Sequence, residues 1–142
     1  MVEAMEAIQL EKYIAFAIGE DLYGVKIIEV KEIVKMQEIT VIPNTNAYIK
    51  GVINLRGIVI PIVSLRHRLG LPEEKDTKDT RIVVVNYEGE MVGIVVDKVS
   101  RVVTFEDIQS SPDHNESPFF GGIGISGEDL VTILNLNEIL RQ

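Results

Sequence analysis

The sequence predicts an all-β protein: two small β-barrels packed on a shared core, with short helical turns. Three observations carry this. The apolar stretches are short, β-branched and closely spaced. The chain matches itself at a spacing of about 70 residues. A charged linker separates the two copies.

The repeat emerges when Tyr13–Ile39 is laid over Ile82–Ile108 so that Gly24 meets Gly93. YIAFAIGEDLYGVKIIEVKEIVKMQEI then lies over IVVVNYEGEMVGIVVDKVSRVVTFEDI. Each copy opens on an apolar, β-branched run. Each then has an acidic or glycine turn, Gly19-Glu20-Asp21 and Glu88-Gly89-Glu90, followed by two apolar residues and a glycine. That pattern marks a β-hairpin. Downstream, Gly51 falls on Gly122, and Ile62, Val63, Leu65 and Leu69 fall on Ile133, Leu134, Leu136 and Leu140. Each copy therefore ends in an apolar strand that runs into a leucine-bearing turn or helix. Glu73–Thr80 (EEKDTKDT), after Pro72, reads as the linker, 72–80. Two copies indicate duplication, and closing each set of strands into a barrel removes exposed edges. The expected subdomains are about 13–70, with the C-terminal turn, and 81–140, inside one domain spanning 10–141.

One stretch breaks the strand pattern. In Gly24–Lys35 the apolar positions Ile27, Val30 and Ile33 step by three, and Ile27 and Ile28 are adjacent. A strand alternates faces, so a helical turn or bulge is expected between two strands. It would aim these side chains into a groove or into the core. Short helices are also expected at Asn44–Ile49, capped by Asn44, and at Glu106–Gln109. Ser110–Phe119 is a polar loop.

Composition excludes several function classes. Among 142 residues, 46% are hydrophobic and 25% charged, a globular balance. There is no cysteine, hence no disulfide, cysteine nucleophile or cysteine-bound metal. The acidic N-terminus lacks the positive charge of a signal peptide. No apolar run approaches a membrane span. The expectation is a cytoplasmic protein without membrane insertion. A net charge of −8 argues against nucleic acid, which needs a cationic footprint. The one basic cluster, Arg66-His67-Arg68, reads as the solvated face of a short turn.

Catalytic and metal motifs are absent. Only His67 and His114 are available; a site on His114 would need ligands from other segments, and it reads as a solvated loop residue. No serine sits in a nucleophile elbow. Gly122-Ile123-Gly124-Ile125-Ser126-Gly127 matches the dinucleotide fingerprint in letters. That fingerprint requires a following helix and a later acidic residue. An apolar β-type run follows instead, so the stretch reads as a glycine-rich turn. Asn115-Glu116-Ser117 is a formal sequon that a cytoplasmic protein does not use. The expectation is no enzyme, cofactor or metal.

GVINLRG (Gly51–Gly57) with IVIPIVSL (Ile58–Leu65), VGIVVDKV (Val92–Val99) and the Gly122–Leu140 stretch resemble, in order and spacing, the CheW-like domain family. The resemblance covers roughly Leu10 to Leu140. It implies two five-stranded, SH3-like β-barrels and a non-catalytic adaptor. Its partners would be the regulatory domain of the histidine kinase CheA and the cytoplasmic tip of methyl-accepting chemoreceptors. The chain would be monomeric alone and assembled in signalling arrays. The length leaves no room for the receiver domain of CheV or the kinase domains of CheA.

Residue by residue, the resemblance places a receptor-binding groove at Ile27, Val30, Glu32, Arg56, Val99 and Val102, with Glu32 and Arg56 paired. It places a kinase-facing surface near Ile39 and Val41. Gly51, Gly57 and Gly93 are expected in structural turns. The loop after Ile108 and the Asn135-Leu136-Asn137 segment depart from the family pattern. Two other readings remain open. One is a small β-barrel that binds or transforms an anionic ligand, using the Gly-rich turn and the Glu32–Arg56 pair. The other is a CheW-like coupler in a different sensory system.

Overall fold

The computed structural model describes residues 11–43, 46–110 and 117–141. The strands are β1 (Tyr13–Ile18), β2 (Asp21–Lys26), β3 (Val30–Lys35), β4 (Ile49–Leu55), β5 (Ile58–Ser64), β6 (Arg81–Tyr87), β7 (Glu90–Val96), β8 (Lys98–Val103), β9 (Asp107–Gln109), β10 (Phe120–Ser126) and β11 (Asp129–Leu134). A 3-10 turn covers Ile27–Glu29. Two short helices, α1 (Leu65–Arg68) and α2 (Leu136–Ile139), follow β5 and β11.

The strands form two sheets. One runs β8-β1-β2-β11-β10-β9, the other β3-β6-β7-β5-β4. Each draws strands from both halves of the sequence. The halves at 13–70 and 81–140 are therefore units of duplication, not of packing. The hairpin β1-β2 sits among strands of the second half, and β6-β7 among strands of the first. The smaller sheet has five strands, as the family pattern implies. The larger has six because β9 pairs with β10. Its counterpart in the first half is only a single bridge, Thr40–Val52.

Three apolar clusters explain why the hairpin strands read as unbroken hydrophobic runs. Tyr13, Ala15, Val103, Phe105, Val131 and Ile133 fill the inside of the six-stranded sheet. Ile53, Leu55, Ile60, Ile62, Ile82 and Val84 fill the inside of the five-stranded sheet. The alternate positions of the same strands, Phe16 and Ile18 on β1 and Val83 and Val85 on β6, join Ile94, Val96 and Leu136 in the shared core between the sheets. β1 and β6 are thus buried on both faces. A strand covered on both faces loses its polar alternation.

The turns obey local rules. Arg56-Gly57 and Glu88-Gly89 connect their hairpins with both residues at positive φ, 53° and 88°, then 52° and 82°. This is the two-residue turn whose twist suits flanking strands. Asn54 and Asn86 each accept a hydrogen bond from the turn glycine, at 2.8 and 3.0 Å. The expected irregular segment is present as the 3-10 turn, followed by a register shift between Val30 and Glu32.

Several local expectations are corrected. Of the proposed turn glycines, only Gly57 lies in a turn. Gly51 lies inside β4 beside a register shift, at φ 149°, where a Cβ would stand 2.2 Å from the Thr40 carbonyl oxygen. Gly93 lies inside β7, where a Cβ would come within 2.6 Å of Ile62 and 2.7 Å of Ile82. Glycine leaves room for the side chains of the two flanking strands, β5 and β6, to lean over it inside the small barrel. The Gly122–Ser126 stretch is strand β10 rather than a turn; the turn is Gly127-Glu128. Nor is Glu106–Gln109 helical, since β9 pairs with β10 and Glu106 N–H donates to the Ile125 carbonyl. Asn44 lies outside the described residues; Ala47-Tyr48 form a turn that leads into β4. Long-range ladder bonds outweigh weak local helix preference in such short segments.

Candidate functional site

The two edge strands β3 and β8 are products of the duplication, and each carries one set of the expected groove residues. Val30 falls on Val99, Ile33 on Val102 and Glu32 on Arg101 when Gly24 is set on Gly93. Each edge strand is paired on one side only, β3 with β6 and β8 with β1. Each has a register shift at the same place, around Lys31 and around Ser100. A bulge turns the following side chains relative to those before it. Val30 and Val99 pack, half-buried, on the shared core. Ile27, Ile33 and Val102 are 39%, 37% and 52% exposed.

Glu32 and Arg56 are in contact through an ion pair. Glu32 sits on the edge strand β3, and Arg56 in the turn that leads into β5. The pair ties the two opposite margins of the five-stranded sheet together. Arg56 is well exposed and holds a left-handed backbone conformation, φ 53°. Next to it Ile58 and Val59 are 50% and 63% exposed. The rim around the pair is thus aliphatic, a composition that marks protein-contact surfaces when it is contiguous. Ile33 belongs to the irregular segment expected to aim side chains into a groove or the core, whereas Ile58 and Val59 carried no such expectation; the apolar pair after the Arg56-Gly57 turn is the signal available for them.

The remaining expected residues separate. Ile39 is half-buried, packs against the interior of the five-stranded sheet and crowds Gly51. Val41 stands 76% exposed two positions on. Only Val41 presents an accessible side chain.

Of the basic triplet only His67 is a solvated residue; the two arginines turn inward. The Arg66 side chain is 14% exposed and grips Asp97 at 2.5 and 3.2 Å, while also donating to the Pro72 carbonyl at 3.0 Å. Asp97 accepts a further bond from Gly19 N–H at 2.8 Å. Burial alone would raise the Asp97 carboxyl. The Arg66 hydrogen bonds, the Gly19 N–H and the Arg66 charge outweigh it and hold the group below the usual aspartate range. Arg68 donates to the carbonyls of Ile139 and Arg141, both at 2.8 Å, and its guanidinium lies over the rings of Tyr48 and Phe119 at 4.6 and 4.9 Å. Both arginines therefore fasten the two halves of the chain to each other. His114 and most of the polar loop lie outside the described residues.

The duplication leaves one asymmetry beside the helices. Next to α1, linker residues Glu73–Asp76 close over Ser64, Arg66 and Asp97, leaving about 20 Å³. The matching position beside α2, around Tyr13, Ile28, Ile108, Ile133 and Asn135, is an open cleft of about 590 Å³. Ile28, which takes the place of Asp97 there, is 83% exposed. Burial raises the Glu29 carboxyl at its margin, against the pull of Lys26. Among the described residues no group of three or more His, Asp or Glu is placed to hold a metal ion. No described helix is long and apolar enough to cross a membrane.

Comparison with known proteins agrees with this architecture. The family model of the CheW-like domain matches residues 12–142. The chain is 37% identical to the chemotaxis protein CheW of Helicobacter pylori, over 92% of this chain and 82% of that one. It is 42% identical to the chemotaxis protein CheW of Bacillus subtilis, over 72% of this chain and 67% of that one. Among solved structures, the scaffolding protein TtCheW from Thermoanaerobacter tengcongensis superimposes with a TM-score of 0.84 at 34% identity, covering 93% of this chain and 88% of that one.

Proposed function

The chain belongs to the CheW-like domain family, whose members are non-enzymatic chemotaxis scaffolds, and on that premise we propose that it couples chemoreceptors to the histidine kinase CheA in the cytoplasm. One observation supports this most. The two edge strands made equivalent by the duplication both carry aliphatic side chains at the margin of the shared core. The Glu32–Arg56 pair springs from the middle of one of them, β3. An amphipathic helix from a receptor tip presents a complementary apolar face. Ile27, Val30, Glu32, Arg56, Val99 and Val102 would line its seat. The region around Ile39 and Val41 would face the kinase regulatory domain, with Val41 making the contact. Holding two partners on different faces raises their effective concentration for each other, and no chemical step is needed.

The test is a titration of the protein with a purified receptor signalling-tip fragment and, separately, with the kinase regulatory domain. The expected result is binding to both, with receptor binding lost in Val102→Glu and Arg56→Glu while the fold is retained. Both side chains are more than half exposed, so neither change buries a charge. Failure of folded wild-type protein to bind either partner would overturn the reading.

A further inference from the structure

The other barrel carries a comparable ion pair, with its charges exchanged. Arg101 on β8 falls on Glu32 of β3, directly after the equivalent register shift. Its Nη2 lies 2.6 Å from Oδ2 of Asp129. Asp129 flanks the Gly127-Glu128 turn of the β10-β11 hairpin, just as Arg56 belongs to the turn of the β4-β5 hairpin. In one barrel the acid is on the edge strand and the base at the turn. In the other the base is on the edge strand and the acid at the turn. A contact between the edge strand and the hairpin turn recurs with its polarity reversed, its turn partner standing two positions after the equivalent of Arg56, which points to the contact itself as the feature retained.

We propose that Arg101 and Asp129 are positioning residues for the second wall of the docking groove, holding β8 so that Val99 and Val102 face the partner. The inference rests on the receptor-docking reading above. β8 is an edge strand with one ladder neighbour, and Arg101 is adjacent to Val102 and two positions from Val99. Edge strands paired on one side open more readily than central ones. A bond from β8 to the β10-β11 hairpin, beyond the two intervening strands β1 and β2, opposes that opening. Both partners are 45% exposed, so the pair acts on local opening of β8 and contributes little to global stability.

Hydrogen exchange at the β8 amides and affinity for the receptor-tip fragment test this together, in wild type, Asp129→Asn and the exchanged pair Arg101→Asp with Asp129→Arg. Expected for Asp129→Asn is exchange in β8 about three- to fivefold faster and affinity reduced by a similar factor. The exchanged pair should restore both. Unchanged β8 exchange in Asp129→Asn overturns the proposal. Restored exchange with affinity still weak also overturns it, because Arg101 would then be touching the partner directly. If the wild type binds no fragment while β8 exchange responds as expected, the coupling reading fails and the hold on β8 stands.

Discussion

Arg66 and Asp97, 31 residues apart in sequence, form a two-point ion pair at the junction of helix α1, the β7-β8 connection and the β1-β2 turn. A nearly buried guanidinium left without its carboxylate is costly. Asp97→Asn should therefore lower stability by about 1–3 kcal/mol, between the ranges for exposed and buried pairs. Urea denaturation at neutral pH measures this.

The same pair sets an acid dependence. The folded Asp97 carboxyl lies below its ordinary value, so its contribution is fully present above about pH 4, the unfolded aspartate pKa. It is lost as pH falls through the lower folded value. The stability difference between wild type and Asp97→Asn should be constant near neutrality and shrink below about pH 4. A difference that instead grew on acidification would contradict the assigned direction.

Arg68 holds the C-terminal helix through three carbonyls, of Glu138, Ile139 and Arg141. Arg68→Ala should release these acceptors and the ring contacts at Tyr48 and Phe119. About 1–3 kcal/mol of stability should be lost. Exchange should accelerate selectively at Leu136–Leu140. Lysine should rescue only part, because it has no planar fork.

Glycine tolerance should follow the space at each site. A Cβ at Gly124 would lie 2.6 Å from the Phe105 ring, whereas at Gly24 the nearest atom is Val131 Cγ1 at 3.0 Å. Gly124→Ala should cost about 1–3 kcal/mol through overpacking, and Gly24→Ala less. Melting temperatures of the two variants give the order.

Arg56→Gly separates positioning from stability. It removes the Glu32 contact but relieves a left-handed residue. The exposed ion pair contributes about 0–1 kcal/mol, and relief of the left-handed residue, about 1–2 kcal/mol, is offset in part by the roughly 0.5–1 kcal/mol of extra chain entropy that glycine loses on folding. Stability should change little, while affinity for the receptor-tip fragment falls.

Much of this protein was legible in its residues. The hairpins at Gly19 and Glu88-Gly89, the linker and the paired leucine helices follow from turn chemistry and apolar patterning. Those are local signals, carried by neighbours in the chain. The repeat went further, because equivalent residues occupy equivalent places: Ser64 and Asn135 both cap a helix, and both edge strands shift register alike.

What the residues alone did not reveal depends on which strands meet. That each sheet borrows a hairpin from the other half, that Gly93 is a packing glycine and that Glu106–Gln109 pairs as a strand are decided by long-range ladders. The sequence by itself determined the all-β class, the duplication and the Glu32–Arg56 partnership through the family resemblance. Only the tertiary structure decided that Arg66 and Arg68 face inward, that Ile39 is a packing residue and that Arg101 meets Asp129. A charged side chain has the same letters whether water or a distant carboxylate solvates it; the fold chooses by what it brings within hydrogen-bond reach.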